Sequence, residues 1–284
     1  MIKIDAHQHF WQFDPIRDSW IDDTMKIIQR DFLPEDLHPI LEENEVNGCV
    51  SVQADQSELE TRFLLKLAAD NFFIKGVVGW VDLVADNVAE RLAYYAKDPF
   101  FKGVRHIVQA EPDDFLLRKK VQQGISHLTP LGLTFDILVF AHQLPAAIKL
   151  VEQFPDQPFV LDHIAKPKIS EGLNHDWLMN IKKLASYENV RCKLSGMVTE
   201  TTNFKWEKSD FTPFMEEILS SFGVNRVLFG SDWPVCLLAA KYREQLEIVI
   251  EYISTMSIDE QENIMGRNAI EFYNLKVNEQ SDGE

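Results

Sequence analysis

Apolar and polar residues alternate along this chain in two rhythms. Short runs rich in Val, Ile, Leu and Phe, ending in polar residues or Gly, predict strands over residues 2–9, 49–54, 73–82, 101–108, 133–140, 158–164, 190–196 and 226–232. Between them, apolar residues recur at three- and four-residue spacing, the pattern of a helix with one face on a sheet. Those segments cover 34–45, 57–71, 87–97, 116–128, 145–154, 176–187 and 210–222, and 242–256 and 259–273 close the chain. Pro34 suits the first turn of its helix. Ser57-Glu58-Leu59-Glu60 reads as a capping box, with Ser57 and Glu60 satisfying free N–H groups.

Strands alternating with helices predict parallel βαβ units. Eight of them predict an α/β fold closed into a (β/α)8 TIM barrel, because closure removes the edge strands. A doubly wound open sheet is the alternative, but it calls for a Gly-rich phosphate turn after an early strand, which this sequence lacks. The 284 residues suit one barrel of about 250 residues. Residues 1–276 read as a single domain and 277–284 as a frayed polar tail. Two long irregular stretches, 10–33 and 199–208, follow the first and seventh strands, at the catalytic end of a barrel. They carry Trp11, Trp20 and Trp206, and aromatic lids suit a polar, ring-shaped ligand.

Composition narrows the partners. With 45% hydrophobic and 26% charged residues, the chain is globular. A net charge of −17 argues against nucleic acid and anionic membranes, which repel it, and otherwise serves solubility. No apolar run approaches the roughly 18 residues of a membrane helix. The first ten residues lack the apolar core of a signal peptide. Cys49, Cys192 and Cys236 fit neither a disulfide framework nor a zinc knuckle, so the expectation is reduced thiols in a cytoplasmic protein.

The candidate chemistry sits at the strand ends: His7 and His9, Gln53 and Asp55, Trp80 and Asp82, Arg105 and His106, Asp162 and His163, Lys193 and Ser195, and Asp232. In a barrel these ends converge on one bowl. His7 and His9, two apart on a strand, share a face and can clamp one metal ion or one substrate oxygen. The competing reading is a surface pair, which the apolar Ile2 and Ile4 argue against. Asp232 follows Gly230, which lets the backbone bend, and precedes Trp233 and Pro234, which would fix the turn. Its carboxylate can act as general base on water or bind a metal; otherwise it caps a helix. His163 offers a third ligand or a carbonyl donor, or is tied to Asp162. Arg105 can hold a carbonyl with its fork of donors, or pair with Asp82 or Glu111 at the rim. Ser195 and Ser231 lack the Gly-x-Ser-x-Gly elbow of a serine hydrolase, and Lys193 alone points to nothing.

This set resembles the amidohydrolase superfamily. Longer motifs are similar to its sugar-lactonase branch, the L-fuconolactonases and L-rhamnonolactonases: residues 7–11, 52–54, 77–83, 103–106, 161–167, 192–196 and 229–235, in order over about residues 1–275. The resemblance implies a hydrolase that opens an aldonolactone to its aldonic acid in deoxysugar catabolism. It implies Asp232 as base with His163 and Arg105 as catalytic partners, and Gln53, Trp80, Arg105, His106 and Trp206 around the sugar. It also implies at most one divalent metal, zinc first, on His7, His9, His163 or Asp232; the branch includes members that need none. No Lys ends the fourth strand, and the fifth ends Phe140-Ala141-His142, so a two-metal site is not expected. A small-molecule sugar lactone is the expected partner, and a homodimer the default assembly. Two other readings compete: a zinc-dependent decarboxylase or hydrolase of an aromatic or muconate-type acid, with a pocket rich in Arg, and a non-catalytic sugar-acid binding barrel.

Overall fold

A computed structural model of the protein describes residues 1–277, so the expected tail, Val277 apart, lies outside the described residues. Eight parallel strands follow one another in chain order: β1 Ile4–Gln8, β2 Gly48–Val52, β3 Ile74–Gly79, β4 Phe101–Ile107, β5 Thr134–Leu138, β6 Phe159–Leu161, β7 Val190–Leu194 and β8 Val227–Phe229. All eight fall in the expected runs, with Gly48 added before the second, but β3, β6 and β8 end three residues short of the expected ends. β1, β2 and β5 are buried along their whole length, as strands of a parallel sheet covered on both faces are, even where they carry polar residues such as Asp5, His7 and Asp136. Gln8 bridges Trp233 in parallel, with His9 N–H on the Trp233 carbonyl (2.7 Å) and Asp232 N–H on that of His7 (2.8 Å). The ring therefore closes beside the residues expected to carry the chemistry.

Eight helices pack outside: α1 Pro34–Glu43, α2 Glu58–Asp70, α3 Val88–Tyr95, α4 Lys119–Ile125, α5 Leu144–Gln153, α6 His175–Ala185, α7 Lys208–Phe222 and α8 Tyr242–Ile253. Each turns apolar residues such as Leu37, Leu64, Leu92, Ile181, Ile218 and Val249 onto the strands, forming the outer core. The expected helix over 259–273 is divided: α9 Ile258–Glu262, a π turn Asn263–Arg267 and α10 Asn268–Phe272. It widens where Gly266 passes the Ile2 carbonyl, so closely that a Cβ on Gly266 would lie 2.2 Å from that oxygen. The capping box at α2 is half formed. Ser57 caps Glu60 N–H, but the Glu60 carboxylate accepts from Ala54 and Asp55 N–H instead, bracing the end of β2.

Inside the barrel a second cluster joins Ile4, Ala6, Val50, Val52, Val78, Val160 and Leu228 to Ala269, Phe272, Tyr273 and Leu275. The chain from α10 onward thus plugs the N-terminal mouth; Lys102 at the start of β4 donates to the Asn274 carbonyl (3.0 Å). The three cysteines are buried and free, as expected. Among the described residues, no helix is long and apolar enough to cross a membrane.

Candidate active site

At the opposite mouth, one carboxylate oxygen gathers three imidazoles. Asp232 Oδ1 lies 3.3 Å from His9 Nε2 and 3.8 Å from both His7 Nε2 and His163 Nε2. The His7 ring is 4.9 Å from that of His9 and 4.4 Å from that of His163. All four side chains are buried. The pairing of His7 with His9 survives even though β1 shifts register between Asp5 and Gln8, an irregularity that re-aims side chains at a strand end.

Each element positions its ligand differently. Gly230 does not act by a bend: a Cβ there would lie 2.7 Å from His7 Cβ, so its role is close approach. Asp232 has a φ of 59° in the left-handed region. The aromatic loop after β1 packs Phe32 (5.2 Å) and Phe10 (6.1 Å) edge-on against Trp233, holding the turn that carries Asp232. Trp11 in that loop is buried and donates to the Arg30 carbonyl (2.9 Å), so it serves the fold and not a lid; Trp20 is the more exposed of the two. His163 opens a left-handed turn. Residues 163 to 166 have φ of 53°, 50°, 62° and 47° with no glycine among them, a conformation that costs about 1–2 kcal/mol per L-residue. It is held by Trp177 Nε1 on the Ile164 carbonyl (2.8 Å), by the burial of Ile164 and Ala165, and by Lys166 on Glu200 (2.5 Å). Such strain is found where the surrounding fold over-determines a functional geometry.

The second nitrogens of the three rings are all engaged. His9 Nδ1 donates to the Val52 carbonyl (2.7 Å), which leaves a lone pair on Nε2 facing the Asp232 carboxylate. His163 Nδ1 lies 2.9 Å from Ser195 Oγ. His7 Nδ1 lies 3.3 Å from Asp162 Oδ1. Burial drives His7 and His163 well below the usual histidine value, so both are neutral, with lone pairs to give. Burial also pushes the Asp232 carboxyl up, but His163 and His9 beside it prevail and hold it below 3.8.

Arg105 is not at the rim with Asp82 or Glu111. It is buried, with Nη1 3.2 Å from both Asp162 Oδ2 and His7 Nε2, and it donates to the Gln53 carbonyl. Gln53 in turn donates to the Arg105 carbonyl (3.2 Å). Glu111 pairs with His106 (3.1 Å), whose other nitrogen accepts from Trp80 Nε1 (3.3 Å). Asp82 caps its own turn through Val84 N–H. Trp206 donates to the Ala239 carbonyl (3.0 Å), tying the loop after β7 to the loop after β8. Sequence reasoning missed Asp136 and Tyr273 and left Lys193 without a role. A charged residue inside an apolar strand run was the available clue for both Asp136 and Lys193.

Three imidazoles around one carboxylate oxygen offer nitrogen and oxygen donors suited to zinc, with His7, His9 and Asp232 as one close group. Two acceptors, His9 Nε2 and Asp232 Oδ1, only 3.3 Å apart, also call for a cation or proton between them. Arg105 Nη1, 3.2 Å from His7 Nε2, competes with a metal ion for that nitrogen. A surface cavity of about 920 Å³ lies beside this cluster, lined by Phe140, Lys166, Trp177 and Glu200 among others. None of the four cluster residues lines it, and side-chain chemistry, not volume, marks the site.

Comparisons with known proteins agree in scope. An amidohydrolase family model matches residues 4–275. The L-fucono-1,5-lactonase of Burkholderia ambifaria is 37% identical over 84% of this chain and 83% of its own. That of Burkholderia multivorans is 36% identical over 96% of each. The crystal structure of an amidohydrolase from Burkholderia multivorans with bound zinc superposes with a TM-score of 0.93 at 36% identity, covering 97% of this chain and 100% of that one.

Proposed function

Since the chain belongs to the amidohydrolase family, we propose that it hydrolyses an aldonolactone, of the L-fucono-1,5-lactone class, to the open aldonic acid. The observation that carries this reading is the ionised Asp232 carboxylate set among the imidazoles of His7, His9 and His163 at the barrel mouth, in a chain 36–37% identical to two such lactonases.

Asp232 is the general base. It takes a proton from water as the water oxygen attacks the lactone carbonyl, and returns it to the ring oxygen as the acyl carbon–oxygen bond breaks. The result is one carboxylic acid and one hydroxyl on a single chain. Arg105, fixed by Asp162 and the Gln53 carbonyl, offers the nearest permanent donor for the oxyanion, and His163 assists it. Such a donor contributes about 2.7–4 kcal/mol to the barrier. Trp80, His106 and Trp206 flank the sugar, while Gln53 acts mainly by holding Arg105.

His7, His9 and Asp232, with His163 beside them, would hold a single zinc ion. A zinc ion supplies Lewis-acid polarisation of a carbonyl. The residues on Nδ1 of the three imidazoles then keep the Nε2 lone pairs aimed at one point.

The test is acid release at near-neutral pH from freshly made L-fucono-, L-rhamnono- and L-galactono-lactones, with and without chelator. Turnover above the spontaneous rate is expected, and its absence on all three would overturn the reading.

A further inference from the structure

Below the imidazoles lies a buried charged chain that the hydrolysis does not consume. Tyr273, just beyond α10, donates to Asp136 Oδ2 on β5 (2.7 Å). Lys193 on β7 reaches the same oxygen (2.6 Å) and Asp162 Oδ1 (2.9 Å). Asp162 meets His7 Nδ1 (3.3 Å), and Lys193 lies 3.1 Å from the same nitrogen. Asp136, Asp162 and Lys193 are fully buried and Tyr273 nearly so.

Stability alone is a poor reason for this arrangement. Its neighbours in the barrel interior are Val, Ile and Leu, and an apolar layer of the same volume is often as stable as buried charge. Its direction is informative. It runs from the plug at one mouth to a single nitrogen of the site at the other. Both nitrogens of His7 are engaged from this side of the barrel: Arg105 Nη1 lies 3.2 Å from Nε2, and Nδ1 faces Lys193 Nζ at 3.1 Å and Asp162 Oδ1 at 3.3 Å. Lys193 donates to Asp136, is ion-paired with Asp162 and reaches His7 Nδ1 itself. Burial keeps the Tyr273 phenol protonated, so it is the donor to Asp136.

We propose that Tyr273 is a positioning residue for the reaction: its hydroxyl fixes Asp136, which fixes Lys193, which fixes the Asp162 carboxylate that orients His7. The plug at the closed mouth thereby acts on the site at the open mouth. This proposal rests on the lactonase reading for its rate effect but not for its geometry.

Tyr273→Phe keeps the ring that packs on Phe272 and removes only the hydroxyl. Two readouts decide the matter. With the preferred lactone, kcat falls about tenfold, as for loss of an outer hydrogen-bond partner, with KM unchanged. Imidazole 15N spectra, with His7 assigned by comparison with His7→Asn, show the His7 nitrogens displaced in Tyr273→Phe. A variant with wild-type kcat and undisplaced His7 nitrogens overturns the proposal. Asp136→Asn combined with Tyr273→Phe is expected to lose no more kcat than Asp136→Asn alone; additive losses would also overturn it. If the wild type turns over no lactone, the lactonase reading fails, and the 15N displacement still decides the positioning role.

Discussion

Gly196 stands so close to His163 that a Cβ added to it would lie 2.5 Å from the imidazole Nδ1 and 3.2 Å from Asp232 Oδ2. The residue also has a φ of 60°. Gly196→Ala is therefore expected to displace His163 and break its contact with Ser195. A misplacement on the order of 1 Å costs roughly 100-fold in rate. Steady-state lactone hydrolysis measures it, and a rate within twofold of wild type would show that His163 does not need its present position.

Asp232→Asn removes the proposed base while keeping the shape of the side chain. The expected loss in kcat is about 10²–10⁴-fold, with the thermal midpoint little changed. The low-lying carboxyl further predicts that wild-type kcat/KM, followed by pH-stat, holds on acidification until the pH nears 3.8 or below. Full activity in the Asn variant would remove Asp232 from the chemistry.

Arg105 and a metal ion would contest the same lone pair on His7. Arg105→Met is thus expected to bind zinc more tightly while losing about 10²–10³ in kcat with the lost oxyanion donor. His163→Asn is expected to bind zinc more weakly. Competition titration against a chromophoric chelator reports both. Equal zinc affinity in wild type and Arg105→Met would mean that the guanidinium and the ion do not compete.

Glu60 carries a pH dependence of stability. Burial pushes its carboxyl from 4.5 up to about 8, against the pull of the Asp55 and Ala54 amides. The folded state therefore favours the protonated form. That contribution is whole below pH 4.5 and is lost as the pH rises through about 8. The thermal midpoint of wild type minus that of Glu60→Gln should fall steadily across this window. A difference that stays flat would show that Glu60 is not held protonated by the fold.

Much of this molecule was readable before its coordinates were. The eight strands stood out because a parallel strand, covered on both faces, is rich in Val, Ile, Leu and Phe and gives way to polar residues or Gly at its end. His7, His9, His163 and Asp232 stood out because those ends converge. The left-handed turn after Asp162 did not, because residues 163–166 contain no glycine to announce it and the conformation is imposed by Trp177 and by burial. The partner of Arg105 was misread for a related reason. Asp82 and Glu111 are nearer in sequence, whereas Asp162 becomes a neighbour only when β4 and β6 are brought together on either side of β5. Asp136 was hidden as one polar letter inside Phe135–Leu138, and Tyr273 as one more aromatic on a helix face.

The ring closes through Gln8 and Trp233, beside His7, His9 and Asp232. The imidazole pair and its carboxylate thus lie almost the whole chain apart in order of synthesis and meet only at the seam. During translation the two histidines emerge first and wait for nearly every other strand before their partner exists. A stretch of the chain that ends short of β8 lacks Asp232, the proposed base. Active protein and completed barrel therefore arise in one step, and a half-built chain is chemically silent.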